Sequence, residues 1–220
     1  MDLQLFNYLQ TYLTERRRGL FKKVLAQRTR HFTVVTEDVY QLHNTSAVMR
    51  SCDVFGIQDL HVVEEELGHR IDKEIAMGAQ KWVSCHRHDS IINCMNTLRG
   101  QGYQIVATTP HTDSQVLHEF DVTPKSAFFF GKENDGLSDI VLQEADSHLK
   151  IPMYGFTESL NISVSAAIVL QTVVSKLRLT QVPWQLSDIE KLELEMDWTK
   201  KTIKSIDQIV KRYYEIEKKS

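Results

Sequence analysis

Two polar side chains that could bind a phosphate or a hydroxyl near a phosphate, Asn44 and Arg50, lie six residues apart in a segment rich in apolar residues. Val48, Met49 and Cys52 are the near neighbours of Arg50. An arginine in this setting either lays its aliphatic stem along apolar surface or pairs with an acid. The functional alternative is recognition of a phosphate, or of a hydroxyl near a phosphate, by the planar guanidinium.

A glycine-rich loop, GKENDGLS, begins at Gly131 and follows a strongly apolar segment. A P-loop occupies such a position but continues with Lys and then Ser or Thr after its second glycine. Here Leu and Ser follow, and the carboxylates of Glu133 and Asp135 would repel phosphates. The chain also lacks the G-x-G-x-x-G fingerprint, which disfavours a Rossmann-type nucleotide enzyme. The loop suits a nucleotide-like ligand without a polyphosphate, or is an ordinary strand–turn–helix connection.

The stretch IPMYGFTESLNISVSAAIVLQ, residues 151–171, combines a strand end, an irregular loop and a helix. Pro152 removes a backbone donor and fixes φ, and Gly155 permits conformations that other residues avoid. Small residues after Asn161 let the helix backbone approach another backbone or a ligand closely. Ligands bind at such points in α/β folds, so the stretch predicts a ligand site. A plain loop followed by a buried helix is the alternative.

Metal-binding residue types are present but scattered. His86 and His88 lie two residues apart in a polar segment, and no further donor group lies near them at metal-ligand spacing, so we predict no metal. The three cysteines, Cys52, Cys85 and Cys94, have no CxxC spacing. Their number and spacing argue against a disulfide framework and a zinc knuckle, and are typical of a reducing cytosol.

The segment between positions 16 and 30 is strongly basic, although the formal net charge of the 220-residue chain is −3. Its seven basic residues, with no acidic one between them, are Arg16, Arg17, Arg18, Lys22, Lys23, Arg28 and Arg30. Such charge asymmetry indicates a surface for nucleic acid, and a solvated basic helix face is the alternative. The N-terminus does not resemble a signal peptide, and no segment has about 18 consecutive apolar residues, so we expect a cytoplasmic protein with no membrane segment.

Alternating strand and helix patterns predict the elements that position these residues. Strands are predicted at 32–36, 57–63, 81–84, 103–108 and 126–130. Helical patterns lie between them, one of them capped by Asn44 or Thr45 and ended by Gly56. This alternation is typical of βαβ units, so we expect an α/β fold with a mainly parallel sheet.

Amphipathic helical patterns also lie at both ends of the chain. A helix begins near residue 3, and a capping-box pattern at Ser187 and Glu190 predicts another. We therefore expect three parts: an N-terminal helical basic extension (1–30), a core (31–180) and a C-terminal helical extension (181–220).

Three sequence blocks resemble the motifs of the SpoU (TrmH) family of SAM-dependent RNA ribose 2′-O-methyltransferases. NTSAVMRSCD, from Asn44, is similar to the family pattern N-x-S/G-A-x-x-R-T/S. FGKENDGLS, from Phe130, is similar to FGxExxGLS, and IPMYGFTESLNISVSAA, from Ile151, matches I-P-M-x-G-x-x-x-S-L-N-V-S-V-A-A. The departures, at Lys132, Ile162 and Ser165, remove no catalytic residue type.

The resemblance implies an α/β-knot (SPOUT) fold, in which the C-terminal part of the core threads into a deep trefoil. It also implies a homodimer, with SAM bound in the knot and each active site completed by both subunits. Within the family the chain is most similar to members that methylate the 2′-hydroxyl of guanosine 18 in the D-loop of tRNA. Ribosomal RNA as the substrate, and a non-catalytic RNA-binding homologue, are the alternatives.

The resemblance also assigns residue roles. Arg50 would act on the ribose, either as the base or as a fixed cation. The site would be shaped by Asn44, Glu133, Ser159 and Asn161. SAM would contact Thr108, Thr109, Gly131, Ile151, Met153 and Leu160. The basic residues between 16 and 30 would supply affinity for tRNA phosphates.

Overall fold

The computed structural model describes residues 2–39, 42–64, 78–110, 114–132 and 135–217. Within these ranges the strands are β1 (Phe32–Glu37), β2 (Asp59–Val63), β3 (Ser84–His88), β4 (Gln104–Thr108), β5 (Gln115–Val116), β6 (Ser126–Phe130) and β7 (Ser147–Lys150). The α-helices are α1 (Leu3–Gln10), α2 (Glu15–Leu25), α3 (Leu42–Phe55), α4 (Ile91–Gly100), α5 (Asp139–Glu144), α6 (Ile162–Leu177), α7 (Asp188–Thr202) and α8 (Ile206–Glu217). Short 3₁₀ helices lie at Ala79–Lys81 and Leu117–Glu119. No helix in the described part of the chain is long and apolar enough to cross a membrane.

The strands form one parallel sheet with the order β3-β2-β1-β6-β4-β7-β5. This confirms the predicted α/β class with a mainly parallel sheet. β1 lies inside the sheet, with β2 paired to one of its sides and β6 to the other, so the strand order reverses at β1. In open parallel sheets, ligands bind beyond the carboxyl ends of the strands where the strand order reverses.

The core lies on both faces of the sheet. Every residue of β1 and β6 is buried, as expected for central parallel strands that are covered on both sides. Val34 and Phe128 belong to an apolar cluster that includes residues of α3 and α6. Their neighbours Val35 and Phe129 point to the opposite face, into a cluster with residues of α4. The sheet and its flanking helices therefore hold the strand ends in fixed positions.

The terminal segments, residues 1–28 and 185–220, form one compact unit, and residues 29–184 form another. In the terminal unit α1 packs on α7 and α8, and Leu9, Met196 and Tyr213 share one apolar cluster. The predicted capping box is confirmed, because Ser187 Oγ accepts from the Glu190 amide at 3.3 Å and the Ser187 amide donates to Glu190 Oε2 at 2.8 Å.

Two of the predicted element positions are wrong. The predicted strand at 81–84 is replaced by the 3₁₀ helix, which begins after Gly78 at φ 103°, and the strand begins only at Ser84. β3 lies at the edge of the sheet and most of its side chains are exposed or half-buried, so it lacks the apolar pattern of a central strand. Helix α3 begins at Leu42, so Asn44 lies inside its first turn and is not its cap. The predicted end of this helix is confirmed at Gly56, where φ is 80°.

Candidate active site

A cavity of about 390 Å³ lies at the carboxyl ends of β4, β6 and β7. Small-molecule sites in proteins usually have volumes of about 300–1,000 Å³. All six residues that the sequence assigned to the cofactor line this cavity: Thr108, Thr109, Gly131, Ile151, Met153 and Leu160. The sheet holds the first two, since Thr108 Oγ1 donates to the Phe129 carbonyl at 2.6 Å and the Thr109 amide donates to the Leu149 carbonyl at 2.9 Å.

Gly131 lines the cavity from a closely packed loop. A Cβ at this position would lie 2.1 Å from the Gly136 carbonyl oxygen and 2.3 Å from the Leu137 nitrogen, so no larger residue fits. The amides of Lys132 and Gly136 donate to each other's carbonyls at 2.9 and 3.0 Å, which closes the loop after β6. Gly136 has φ 74°, a conformation that favours glycine. Glycine at position 131 thus lets the loop pack closely against its own backbone beside the cavity.

The same loop is anchored from β1 by Glu37, which the sequence prediction missed. Glu37 is buried, and its Oε2 accepts a hydrogen bond of 2.9 Å from the Ser138 amide. Ser138 is the N-cap of α5 and accepts from the Val141 amide. The sequence contained one indication of this role, because Glu37 is an acidic residue at the end of an otherwise apolar and β-branched strand.

The predicted residues Asn44 and Asn161 come together although 117 positions separate them. Asn161 Nδ2 donates to Asn44 Oδ1 at 3.3 Å, and Asn44 is buried in α3. Asn161 also caps α6, because its Oδ1 accepts from the Ser163 amide at 2.9 Å. This pair joins the first and third sequence blocks beside the loop that carries Ser159, which lines the cavity.

Arg50 is placed differently from Asn44. It is exposed on α3 and is not among the residues that line the cavity. Helical residues six apart are rotated by roughly 240°, so Asn44 and Arg50 project from different sides of α3. The predicted residue Glu133 lies outside the described residues.

The basic residues divide into two groups. Arg16, Arg17, Arg18, Lys22 and Lys23 lie exposed on α2. Arg28 departs from the predicted RNA-contacting set, because it is 1% exposed and its guanidinium lies 5.4 Å from the ring centroid of Trp198. Arg30 is half-buried, and its Nε donates to Asp59 Oδ2 at 2.8 Å. Burial acts to raise the pKa of Asp59, but His86 and Arg30 hold this pKa below its ordinary value.

The charges around the cavity favour a ligand that carries positive charge. Asp135 and Glu158 line it together with Lys132, beside apolar side chains such as Leu137 and Leu142. Carboxylates repel a polyphosphate and attract an ammonium or sulfonium group. The walls could therefore hold an adenosine-like body with a cationic end.

A model described as the SpoU rRNA Methylase family matches residues 31–171, which include every wall of this cavity. The chain belongs to this family. The resemblance predicted from the three sequence blocks is thereby confirmed.

Relatives of this SpoU family chain are similar over most of its length. It is 35% identical to the tRNA (guanosine(18)-2′-O)-methyltransferase of Borreliella burgdorferi over 203 residues, which cover 92% of this chain and 93% of that protein. It is 37% identical to the Thermus thermophilus enzyme of the same name over 157 residues, 71% of this chain and 81% of the other.

Solved structures agree with the observed fold. The Aquifex aeolicus TrmH/SpoU tRNA modifying enzyme has a TM-score of 0.77 and 30% identity, covering 86% of this chain and 98% of that one. AviRb from Streptomyces viridochromogenes, in complex with AdoMet, has a TM-score of 0.63 and covers 72% of this chain and 65% of its own. At 22% identity the latter likeness shows the fold alone.

Proposed function

We propose that this chain methylates the 2′-hydroxyl of guanosine 18 in the D-loop of tRNA, with SAM as the methyl donor. The observation that carries the proposal is that all six predicted cofactor residues line the same cavity, at the carboxyl ends of three parallel strands. The names of the Borreliella and Thermus relatives, which the chain covers for 93% and 81% of their length, support the position and the substrate. The proposed parts are a catalytic core at about 31–180 and helical extensions at 1–30 and 181–220. Because its substrate is tRNA, we place the reaction in the cytoplasm.

SAM fits the cavity by size and by charge. The cavity volume of about 390 Å³ lies within the range usual for small-molecule sites, about 300–1,000 Å³. Asp135 and Glu158 carry the negative charge that a sulfonium and an amino group require. When bound, SAM supplies an electrophilic methyl group. We assign the walls of its site to Thr108, Gly131 and the loop of 151–160.

The residues of the chain must prepare the 2′-hydroxyl, which is a poor nucleophile until it loses its proton. We assign Arg50 to stabilise the developing oxyanion as a fixed cation. A guanidinium offers five N–H donors and no acceptor, so we favour this role over that of a base. Asn161 and Asn44 hold the start of α6 against α3, which fixes the loop of 151–160 beside the ribose. Glu133 and Ser159 remain proposed members of the site.

Arg50 gives the direct test of this assignment. Replacing it by Ala should reduce methyl transfer to tRNA at least roughly 100-fold, because a charge that stabilises an oxyanion is lost. SAM affinity should stay near that of the parent, since Arg50 does not line the cavity. Val54→Ala is the matched control, because Val54 is 74% exposed on the same helix. Methylation at the parent rate by Arg50→Ala would contradict the assignment.

The position of methylation tests the substrate. Transcripts of tRNA and of ribosomal RNA would be incubated with labelled SAM, and the modified ribose would be mapped. Modification at guanosine 18 supports the proposal. Modification of ribosomal RNA alone would favour the alternative substrate. A chain that fails to bind SAM in calorimetry would be a non-catalytic homologue.

We also propose a homodimer whose core threads a deep trefoil knot. Strand β7 follows β4 and β5 in sequence but lies between them in the sheet, an order that supports threading of a later segment through an earlier loop. Tyr154 and Phe156 are 94% and 109% exposed on the loop beside the cavity, and Val164 is 44% exposed on α6. Such exposed apolar side chains favour burial against a second subunit.

A dimer with shared sites explains why Arg50 and Asn44 project from different sides of α3. In this arrangement Arg50 of one subunit serves the cavity of the other. Mixing inactive Arg50→Ala with inactive Asn161→Ala, after subunit exchange, should then restore about a quarter of parent activity, because half the dimers are mixed and each mixed dimer has one intact site. If both residues act within one chain, mixing restores nothing. Exchange itself is checked by mass spectrometry of differently tagged subunits.

A further inference from the structure

Three potential metal ligands meet on the face of the sheet that α4 covers, and none of them lines the methyl-transfer cavity. His61 Nδ1 and His88 Nε2 are 2.9 Å apart, and the Sγ of Cys94 completes a group whose donor atoms all lie within 4.8 Å of one another. His61 and Cys94 are buried and His88 is half-buried. The sequence prediction missed this group, because the donors are separated by 27 residues and by a strand-to-helix connection.

Strand register and helix position bring the three donors together. His61 on β2 pairs with His86 on β3, and Val63 pairs with His88, so the three histidines share one face. Cys94 lies in the first turn of α4, a few residues after His88. The donors therefore sit on two strands and a helix, which hold a ligand geometry more accurately than loops do.

Neighbouring groups orient the histidine rings. The ring of His61 stacks on that of His86, with centroids 4.7 Å apart and an interplanar angle of 21°. His86 is itself fixed, because its Nε2 lies 2.9 Å from Asp59 Oδ1. This stacking restricts the rotation of the His61 ring.

Burial and a nearby carboxylate set the charge around the donors. Burial, together with His86 and His88, lowers the pKa of His61 to about 3. Burial, followed by the carboxylate of Glu37, raises the pKa of the Cys94 thiol to about 12, so a metal ion must displace the thiol proton in order to bind. The negative charge of Glu37 near the thiol attracts a cation.

We propose that His61, His88 and Cys94 form a binding site for Zn²⁺ or a similar divalent transition-metal ion. Two imidazole nitrogens and one thiolate suit Zn²⁺ and Co²⁺ and do not suit Mg²⁺ or Ca²⁺, which prefer oxygen ligands. On binding, the Cys94 thiol loses its proton to solvent, and one imidazole moves its N–H proton to its other ring nitrogen. A water molecule completes the four-coordinate site on the exposed side of His88. The ion would tie the edge strand β3 to β2 and α4.

Cobalt provides the test, because a thiolate–Co²⁺ bond absorbs in the near ultraviolet. The full-length protein, without a histidine tag and stripped of metal, would be titrated with CoCl₂ and then with ZnCl₂. We expect one equivalent of Co²⁺ to produce the band and Zn²⁺ to remove it, with no response to MgCl₂. Cys94→Ala should abolish the band. Cys85→Ala, which removes an exposed thiol from the same region, should keep it.

A second variant keeps the test decisive if Cys94→Ala does not fold. His88 is half-buried, so His88→Ala should fold and should weaken Co²⁺ binding at least about tenfold. ZnCl₂ should raise the thermal unfolding midpoint of the parent and of Cys85→Ala, but not that of His88→Ala. A parent protein without the band, a band that persists in Cys94→Ala, or equal binding by His88→Ala would each overturn the proposal. All of these measurements are independent of methyl transfer.

Discussion

Gly131→Ala tests whether the loop after β6 forms the cofactor site. The added Cβ would lie 2.1 Å from the Gly136 carbonyl oxygen and 2.2 Å from its carbon. Carbon–oxygen contacts of this kind are usually about 3.3–3.6 Å long, so the loop must move by more than about 1 Å. The clash is with backbone, so rotation of a side chain cannot relieve it.

The size of the effect follows from what holds the loop closed. The two backbone hydrogen bonds between Lys132 and Gly136 contribute about 1 kcal/mol each. Forcing an extra methyl group into a packed site costs about 1–3 kcal/mol. Together these terms oppose the native loop by about 3–5 kcal/mol. If SAM requires the native loop, its affinity should fall roughly 100-fold or more, since each 1.4 kcal/mol is a factor of about ten.

Calorimetric titration with SAM measures this loss, and thermal unfolding reports whether the core stays folded. Gly100→Ala is the matched control, because nothing lies within 4 Å of a Cβ at Gly100 and this residue does not line the cavity. This control should bind SAM within about threefold of the parent, a difference of less than 1 kcal/mol. If Gly131→Ala binds SAM as tightly as Gly100→Ala does, the loop is not part of the cofactor site.

Two further predictions concern charge. Replacing the three exposed arginines of α2, residues 16–18, by Gln should weaken tRNA binding and reduce the slope of log affinity against log salt by roughly 2–3, whereas an unchanged slope would show that they do not contact RNA. His31 is half-buried, and its Nε2 lies 2.8 Å from the Val122 carbonyl oxygen. Burial lowers the pKa of His31, and the charge of Lys125 lowers it further, although the hydrogen bond to Val122 acts to raise it. As the pH falls below about 6.5, the imidazole of His31 is therefore protonated more readily in the unfolded chain than in the folded one. The free energy of unfolding should decrease over this pH range, and the decrease should be smaller in His31→Gln. Urea unfolding at pH 7.5 and 5.5 measures the difference, and identical pH dependence in the two proteins would contradict the assignment.

Much of the fold could be predicted because its central elements follow local rules. β6 is a run of apolar residues buried on both faces, and Gly56 ends α3 with a positive φ. The start of α7 at Ser187 depends on side chains only three positions apart. In each case the determining contacts are local, or depend only on burial of apolar surface.

The edge strand β3 could not be predicted in the same way. Its backbone pairs with β2 on one side only, and its side chains do not alternate between apolar and polar. What makes residues 84–88 a strand is the free edge that β2 offers, which is a property of the assembled sheet. The proximity of His61 to His88 could not be predicted for the same reason, because it depends on the long-range pairing of β2 with β3 and on the register of that pairing.

In the candidate site, too, locally determined features could be predicted and long-range contacts could not. The glycines and small residues of the cavity wall could be predicted because their types are unusual at their positions and match a family pattern. Glu37 could not, because its hydrogen bond to Ser138 depends on β1 lying beside β6, and the two residues are 101 positions apart. A buried carboxylate needs such a partner to offset the loss of hydration, so the Ser138 amide explains how Glu37 is tolerated at the end of a central strand. The loop is therefore held on both sides, by Glu37 from β1 and by the close contact at Gly131, and the geometry of the cavity depends on both.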